Sequence, residues 1–410
     1  MMTLLEKPAV DKGALSLPRL CYIGDVPVEH SYHGSALLYR LLQNYPACRV
    51  RVVEVRFASE AGRRLSDVEY RFLRLPFQRL LFTRFHRFAS TALVGWGGLS
   101  QSALSAAAEG FSPDSVLTVV HGYSWRAAVK FARKRNLPYH LIIHDDWEKT
   151  SNPTRMMMPL LQRQFADAYR NAASRLCVSP YMAKYYSQKY GVSSEVLYPS
   201  RAAGVVNFDS PSPRVGAKPA TFTVAFAGTI NGPGYVAALR SVAQALKPIG
   251  GQLTIFGPLT SQHAQKFGLD EKNVVLKGLL SPDELVRICR EEADALIVPV
   301  PFDSQVRSNA ELAFPSKLTD YTAMGLPIII FGPSYSSAVK WAAEYRDVAD
   351  VIDRDDVSYL AAEIARLARD PQRRIDLACR ALEVGKKCFS HSTAERKFFE
   401  SLLQKSTSIQ

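Results

Sequence analysis

The stretch "FPSKLTDYTAMGLPIIIFGP", residues 314–333, groups residue types that suit an anionic ligand. Pro315 fits the first position of a helix, where its missing N–H costs nothing. The pattern predicts a helix over 316–324, ended by Gly325 as a C-cap. The first amides of such a helix have no partner within it, and the dipole adds partial positive charge. Residues 315–318 are therefore a candidate anion site. Lys317 opposes the dipole but suits a phosphate. Asp320 lies one turn further, on roughly the face of Ser316 and Lys317, where a carboxylate accepts hydrogen bonds from vicinal ribose hydroxyls. A surface helix with a solvated Lys and Asp accounts for the same spacing.

Other candidates also follow short apolar runs. "TFTVAFAGTINGPGYVAAL" places Gly228, Gly232 and Gly234 between a predicted strand and helix, where backbone can approach a ligand. The spacing is not that of a dinucleotide fingerprint. In the first half, Gly34 opens a helix after the long loop that follows "CYIGD". "VLTVVHGYSW" sets His121 and Tyr123 past one strand, and "YHLIIHDDWEKT" sets His144, Asp145, Asp146 and Trp147 past the next. Polar groups of that density need partners or solvent, so they line a cleft. Adjacent residues in extended chain point apart, so Asp145 and Asp146 make a poor chelate and no metal site is expected. Residues 70–98 interleave Arg71, Arg74, Arg79, Arg84 and Arg87 with Phe72, Phe77, Phe82, Phe85 and Phe88. That mixture suits an anionic membrane interface, single-stranded nucleic acid, or a core-facing helix with solvated Arg.

The elements that must position these residues alternate along the chain. Twelve apolar, β-branched runs are separated by helix-length amphipathic segments such as 233–247, 281–292 and 356–369. This reads as α/β with parallel sheets buried on both faces. One stretch, 201–220, has no period and is rich in Pro, Gly, Ser and Ala; it reads as a linker. The expected domains are 1–205 and 206–390, each with about six strands, with a C-terminal helix in 391–410 crossing back to the first domain. The 410-residue length fits two cores. Ligands in open α/β sheets bind at strand carboxyl ends, so the chemistry is expected between the domains. The formal charge of +13 suits an anionic partner. The six cysteines are scattered, which indicates a reduced intracellular chain without structural zinc. No signal peptide and no membrane-length apolar run is apparent.

Three stretches then resemble the GT-B glycosyltransferases, in particular the retaining, family 4-like enzymes of bacterial surface-polysaccharide synthesis: "HDDW" (144–147), "RLCVSPYMAKYYSQKYGVSSEVLYPSR" (175–201) and the "FPSKLTDY" stretch. The resemblance implies two Rossmann-like doubly wound domains facing each other across a cleft. It implies a nucleotide diphosphate sugar as donor and a polysaccharide or lipid-linked oligosaccharide as acceptor. It places the donor diphosphate on Pro315, Ser316 and Lys317 and the ribose on Asp320. The first Glu of the family's paired-Glu signature falls on Leu312, so the neighbouring Glu311 is the candidate sugar-facing acid. Thr229 stands where the family often has a phosphate-binding Arg after Gly228, and "INGPG" lacks the usual Lys. The phosphate charge then falls to Lys317, with Arg307 and backbone amides. His121 keeps only the first His of the family's His-x-His, and it and His144 are candidates for the donor sugar or phosphate. No metal or other cofactor is required, because Lys317 and the helix dipole supply the positive charge. The expected partners are a nucleotide sugar, a glycan or lipid-linked acceptor and an anionic membrane surface through 70–98, with no nucleic acid. The expected location is cytoplasmic, peripheral at the inner face of the membrane. The competing reading is a non-catalytic GT-B nucleotide-binding or scaffolding protein, for which Thr229 and "INGPG" argue.

Overall fold

The computed structural model describes residues 17–30, 34–55, 64–74, 78–96, 100–150, 155–206 and 208–404. The first sheet contains β1 (Leu20–Gly24), β2 (Val50–Val55), β3 (Glu69–Leu73), β4 (Ser115–Val119), β5 (Tyr139–Ile143), β6 (Ser174–Cys177) and β7 (Glu195–Val196), in the order β3-β2-β1-β4-β5-β6-β7. The second contains β8 (Thr223–Ala227), β9 (Gln252–Phe256), β10 (Val274–Gly278), β11 (Ala295–Pro299), β12 (Ile328–Phe331) and β13 (Asp350–Ile352), in the order β10-β9-β8-β11-β12-β13. Every pairing is parallel. Each sheet reverses direction once, at β1/β4 and at β8/β11. Such a switch point opens a crevice at the carboxyl ends of the strands.

The inner strands are buried along their whole length, as in β1, β2, β4, β5 and β11. Helices cover both faces, which is why these strands read as continuous apolar runs. Edge strands are less covered, most of all β3, "EYRFL", with most of its residues exposed. The first sheet thus has seven strands rather than the expected six, and the added strand lies in the Arg/Phe segment. That segment continues as a 3-10 turn (Gln78–Phe82) and a helix (His86–Trp96), with Phe72, Phe85 and Phe88 exposed at 41%, 50% and 64%. Residues 75–77, including Phe77, and 97–98 lie outside the described residues.

The domains meet through packed and hydrogen-bonded contacts. Tyr198, Phe314, Trp341 and Phe389 form an aromatic seam, with Tyr198–Phe314 and Phe314–Trp341 ring centroids 4.8 and 5.9 Å apart. Trp341 and Phe389 are fully buried there, and each buried aromatic of this size contributes about 1.5–3 kcal/mol. The last helix, His391–Leu402, packs on the first, Gly34–Leu42. Asn44, just past that first helix, donates to Glu395 at 2.7 Å, and Tyr45 meets Phe399 at 5.5 Å. Within 201–220 a short 3-10 turn, Pro213–Gly216, is tied to the second domain by Arg374, which donates to the carbonyls of Val215 and Ala217.

Candidate active site

On the second domain the site is built at the end of β8. Gly228 adopts φ +136°, and a Cβ there would lie 2.7 Å from Lys317 Cε and 3.1 Å from its Nζ. The missing side chain at 228 is therefore the notch into which the Lys317 amine fits. The ammonium also sits 5.1 Å from the centre of the buried Phe226 ring, a cation–π placement. Burial pushes its pKa down to about 8, against the pull of the Asp320 carboxylate. Tyr321 fixes the pair of elements: its hydroxyl accepts from Ala227 N at 2.7 Å and donates to Ala227 O at 3.3 Å. Lys317 is thus locked to the strand end by its neighbour four residues on.

The helix carrying Lys317 is shorter than expected. It spans Lys317–Tyr321, and three-residue turns flank it. Leu318 N donates to Pro315 O, so one of the amides expected to be free is already used, and the next, Thr319 N, donates to Ser316 O. Two threonine hydroxyls explain the tightening. Thr319 Oγ1 donates to Ser316 O at 2.6 Å and Thr322 Oγ1 to Leu318 O at 2.8 Å, in competition with the helical pattern. The anion-binding capacity here rests more on the ammonium and less on the helix than the sequence implies.

The other second-domain candidates have partners of their own. Asp320 faces Arg40 of the first domain at 3.5 Å, and Arg40 also donates to Ser200 O. Arg307 is exposed and stacks on Tyr335, with its guanidinium carbon 4.5 Å from the ring centre. Glu311, one helix turn from Arg307, is paired with Lys340 at 3.2 Å. Thr229 is half-buried in the loop after Gly228, and Ser316 is exposed.

On the first domain, the ends of β4 and β5 bring His121, His144 and Asp145 together. His144 Nε2 lies 3.2 Å from His121 Nδ1 and 3.2 Å from Asp145 Oδ2, and His121 Nδ1 lies 3.7 Å from the same carboxylate oxygen. Burial lowers the pKa of His144. Burial acts in the same sense on His121, but the Asp145 carboxylate outweighs it and holds His121 above its usual range. Burial would raise Asp145; the two imidazoles, with Asn309, hold it below its usual range instead. At pH 7 this is an ionised carboxylate between two histidines of opposite tendency. Gly34 begins the helix Gly34–Leu42 after β1, as expected.

Asp25, which the sequence reading passed over, positions His121. Its carboxylate accepts from Tyr123 N at 3.0 Å, Ser124 N at 2.8 Å and Ser124 Oγ at 2.7 Å, capping the helix Ser124–Lys134. Gly122 has φ +55°, and a Cβ there would strike Asp25 Oδ2 at 2.5 Å. On the other side, Trp147 Nε1 donates to Gly122 O at 2.6 Å. The loop bearing His121 is held from both flanks. The one signal in the sequence was an acid directly after the first strand, "YIGD".

Asp145 and Asp146 do point apart. Asp146 is buried and accepts from Ser308 of the second domain and from Tyr186 at 3.4 Å, while its amide donates to Asn309 Oδ1 at 3.2 Å. Ser179 Oγ donates to Leu312 O beside this contact. The short helix Arg307–Leu312 is thus clamped onto the first domain. Tyr235, at the start of the helix Pro233–Leu246, feels the charge of Asp145 across the cleft: burial and that carboxylate both raise its phenol pKa. Tyr235, Ser308, Asn309 and Arg40 were not singled out in the sequence, because no local pattern marks a residue whose partner is on the other domain.

Residues 37–200 match the model of Glycosyltransferase Family 4. No curated protein matches the chain by sequence. Among solved structures, HepE from Anabaena in complex with UDP and glucose is similar over 94% of this chain and 99% of its own, at 14% identity and a TM-score of 0.64. Sucrose-phosphate synthase from Thermosynechococcus elongatus is similar over 93% and 97%, at 13% identity and a TM-score of 0.65. The lipopolysaccharide outer core galactosyltransferase WaaB, in its apo form, is similar over 93% and 98%, at 14% identity and a TM-score of 0.57. The chain therefore has the GT-B fold, and its residues 37–200 are similar to the Glycosyltransferase Family 4 model.

Proposed function

We propose that this chain transfers a sugar, with retention, from a nucleoside diphosphate sugar to a polysaccharide or lipid-linked oligosaccharide acceptor. The observation that carries the reading is the Lys317 ammonium seated in the Gly228 notch at the carboxyl end of β8. A cation held by packing, at a switch point, in a partly dehydrated setting is suited to charge that develops on a leaving diphosphate. Lys317 and the adjoining turn at Pro315–Ser316 receive the diphosphate, and Asp320 receives the ribose, exchanging its Arg40 contact for the hydroxyls. His121, His144 and Asp145 face the donor sugar from the other domain, and Tyr235 and Asn309 close the cleft beside them. The diphosphate needs no metal in this scheme. Uridine diphosphate sugars are the first donors to test, since HepE is described in complex with UDP-glucose.

The test is thermal stabilisation by a panel of nucleoside diphosphates and nucleotide sugars. A ligand that binds only the folded state raises its melting temperature by mass action. One base should stabilise the wild type clearly and Lys317→Ala far less. Equal stabilisation of both, or none of either, defeats the donor-site assignment. Binding without transfer or donor hydrolysis would instead identify a scaffolding protein.

The surface around β3 supports an acceptor at the inner face of an anionic membrane. Exposed Phe72, Phe85 and Phe88 lie in one segment with exposed Arg71, Arg74, Arg79, Arg84 and Arg87. Phenyl groups at the acyl boundary and guanidinium groups at the headgroups are the matching chemistry. No helix among the described residues is long and apolar enough to cross a membrane. Reversing the charge of Arg79, Arg84 and Arg87 together should abolish sedimentation with anionic vesicles; unchanged binding would remove the membrane from this reading.

A further inference from the structure

The geometry points to a divalent transition-metal site formed by His121 Nδ1, His144 Nε2 and Asp145 Oδ2. These three atoms form a triangle with sides of 3.2, 3.2 and 3.7 Å. The circle through them has a radius of about 2.0 Å, so an ion just out of their plane reaches all three at about 2.1 Å, an ordinary length for zinc bonds to imidazole and carboxylate. A tetrahedral ion at that distance requires donor separations of about 3.4 Å, and the observed sides bracket it.

Proton counting is compatible with the same conclusion. A neutral imidazole offers one N–H, and an ionised carboxylate offers none. If one of the two converging nitrogens carries its proton, a single side of the triangle is hydrogen-bonded well and lone pairs face each other elsewhere. If both do, both can donate to the one Asp145 oxygen, at the cost of holding two N–H groups 3.2 Å apart. One cation satisfies all three atoms at once.

The surroundings supply what such a site needs. Asp25 and Trp147 fix the loop that carries His121, and the three donors come from two adjacent strand ends. His144 is largely covered, whereas the His121 side chain is 50% exposed and leaves a path for the ion. Two imidazoles and one carboxylate are borderline donors that suit zinc, cobalt, iron or manganese rather than calcium or magnesium. The remaining coordination positions open on the cleft, where a water, hydroxyl or phosphate oxygen completes the shell. This departs from the metal-free expectation of the sequence, and it is independent of the donor-site assignment at Lys317.

The test uses the full chain without an affinity tag, stripped with a chelator and free of nucleotide. Zinc is titrated calorimetrically and cobalt by visible absorption. Saturation at one equivalent is expected, with a cobalt ligand-field band of a low-coordinate site. His121→Gln, His144→Gln and Asp145→Asn should each weaken binding by about tenfold or more and change the band. Absence of saturable binding to the folded wild type overturns the proposal, leaving a hydrogen-bonded cluster. Binding that the three variants leave unaltered does the same, since the ion then sits elsewhere. Because no nucleotide is present, failure here and failure of the Lys317 reading remain separate results.

Discussion

The two strand-end clusters that face each other across the cleft are held by different forces. At β8 a single ammonium is placed by packing: a glycine notch beneath it, a phenyl ring beside it and a tyrosine hydroxyl tying its helix to the strand. At β4 and β5 two imidazoles and a carboxylate are placed by hydrogen bonds, with Asp25 behind them. Packing locates a lone charge well but leaves it poorly solvated, which shifts its proton affinity. Hydrogen bonding keeps several polar groups together but makes each dependent on the others' protonation. In the proposed function the first arrangement serves static attraction for a diphosphate, and the second the more exacting reacting end of the donor.

The contrast is broken first at Asp145. Asp145→Asn should lower the transfer rate by about 10²-fold or more, while stabilisation by the nucleoside diphosphate alone stays near the wild-type value. Parallel loss of both would merge the two clusters into one functional unit. Removing the support behind His121 should have a smaller, structural effect. Asp25→Ala deletes a helix cap and should cost about 1–2 kcal/mol in denaturant unfolding, with Asp25→Asn milder. An unchanged midpoint would show that the loop is held by Trp147 alone.

The subtlest test is pH. The Lys317 pKa of about 8 lies below the ordinary lysine value of 10.5. Diphosphate affinity should therefore fall as pH rises through about 8, as the ammonium is lost. Stability of the unliganded protein should respond in the opposite sense. Between about 8 and 10.5 the unfolded chain binds more protons at this residue than the folded one, so the stability lost by burying the charge returns as pH rises. Comparison with Lys317→Ala isolates the residue; matching pH profiles would show that its titration contributes nothing.

Most of the architecture was readable because parallel strands covered on both faces are unbroken apolar runs, as in "LCYIG" and "ALIVP". The strand that escaped notice, β3, is an edge, where charge and exposure hide the period. The helix at 316–324 was overestimated for a local reason: Thr319 and Thr322 return their hydroxyls to the backbone and tighten it into three-residue turns. Lys317 and Asp320 were visible from composition and spacing. Their surroundings were not, because Phe226 and Arg40 are 91 and 280 residues away in the chain.

Sequence by itself determined the class of fold and the strand ends where polar residues collect. Those features follow from short-range patterning, burial on both faces and turn chemistry. Tertiary structure alone decided which polar residues meet. Asp146 went to Ser308 and Asp145 to two histidines, although the two acids are adjacent. Glu311 went to Lys340, and Asp320 to an arginine of the other domain. The physical reason is range: hydrophobic periodicity is written within one element, whereas a charge finds its partner only after two sheets and the crossing between them have been packed.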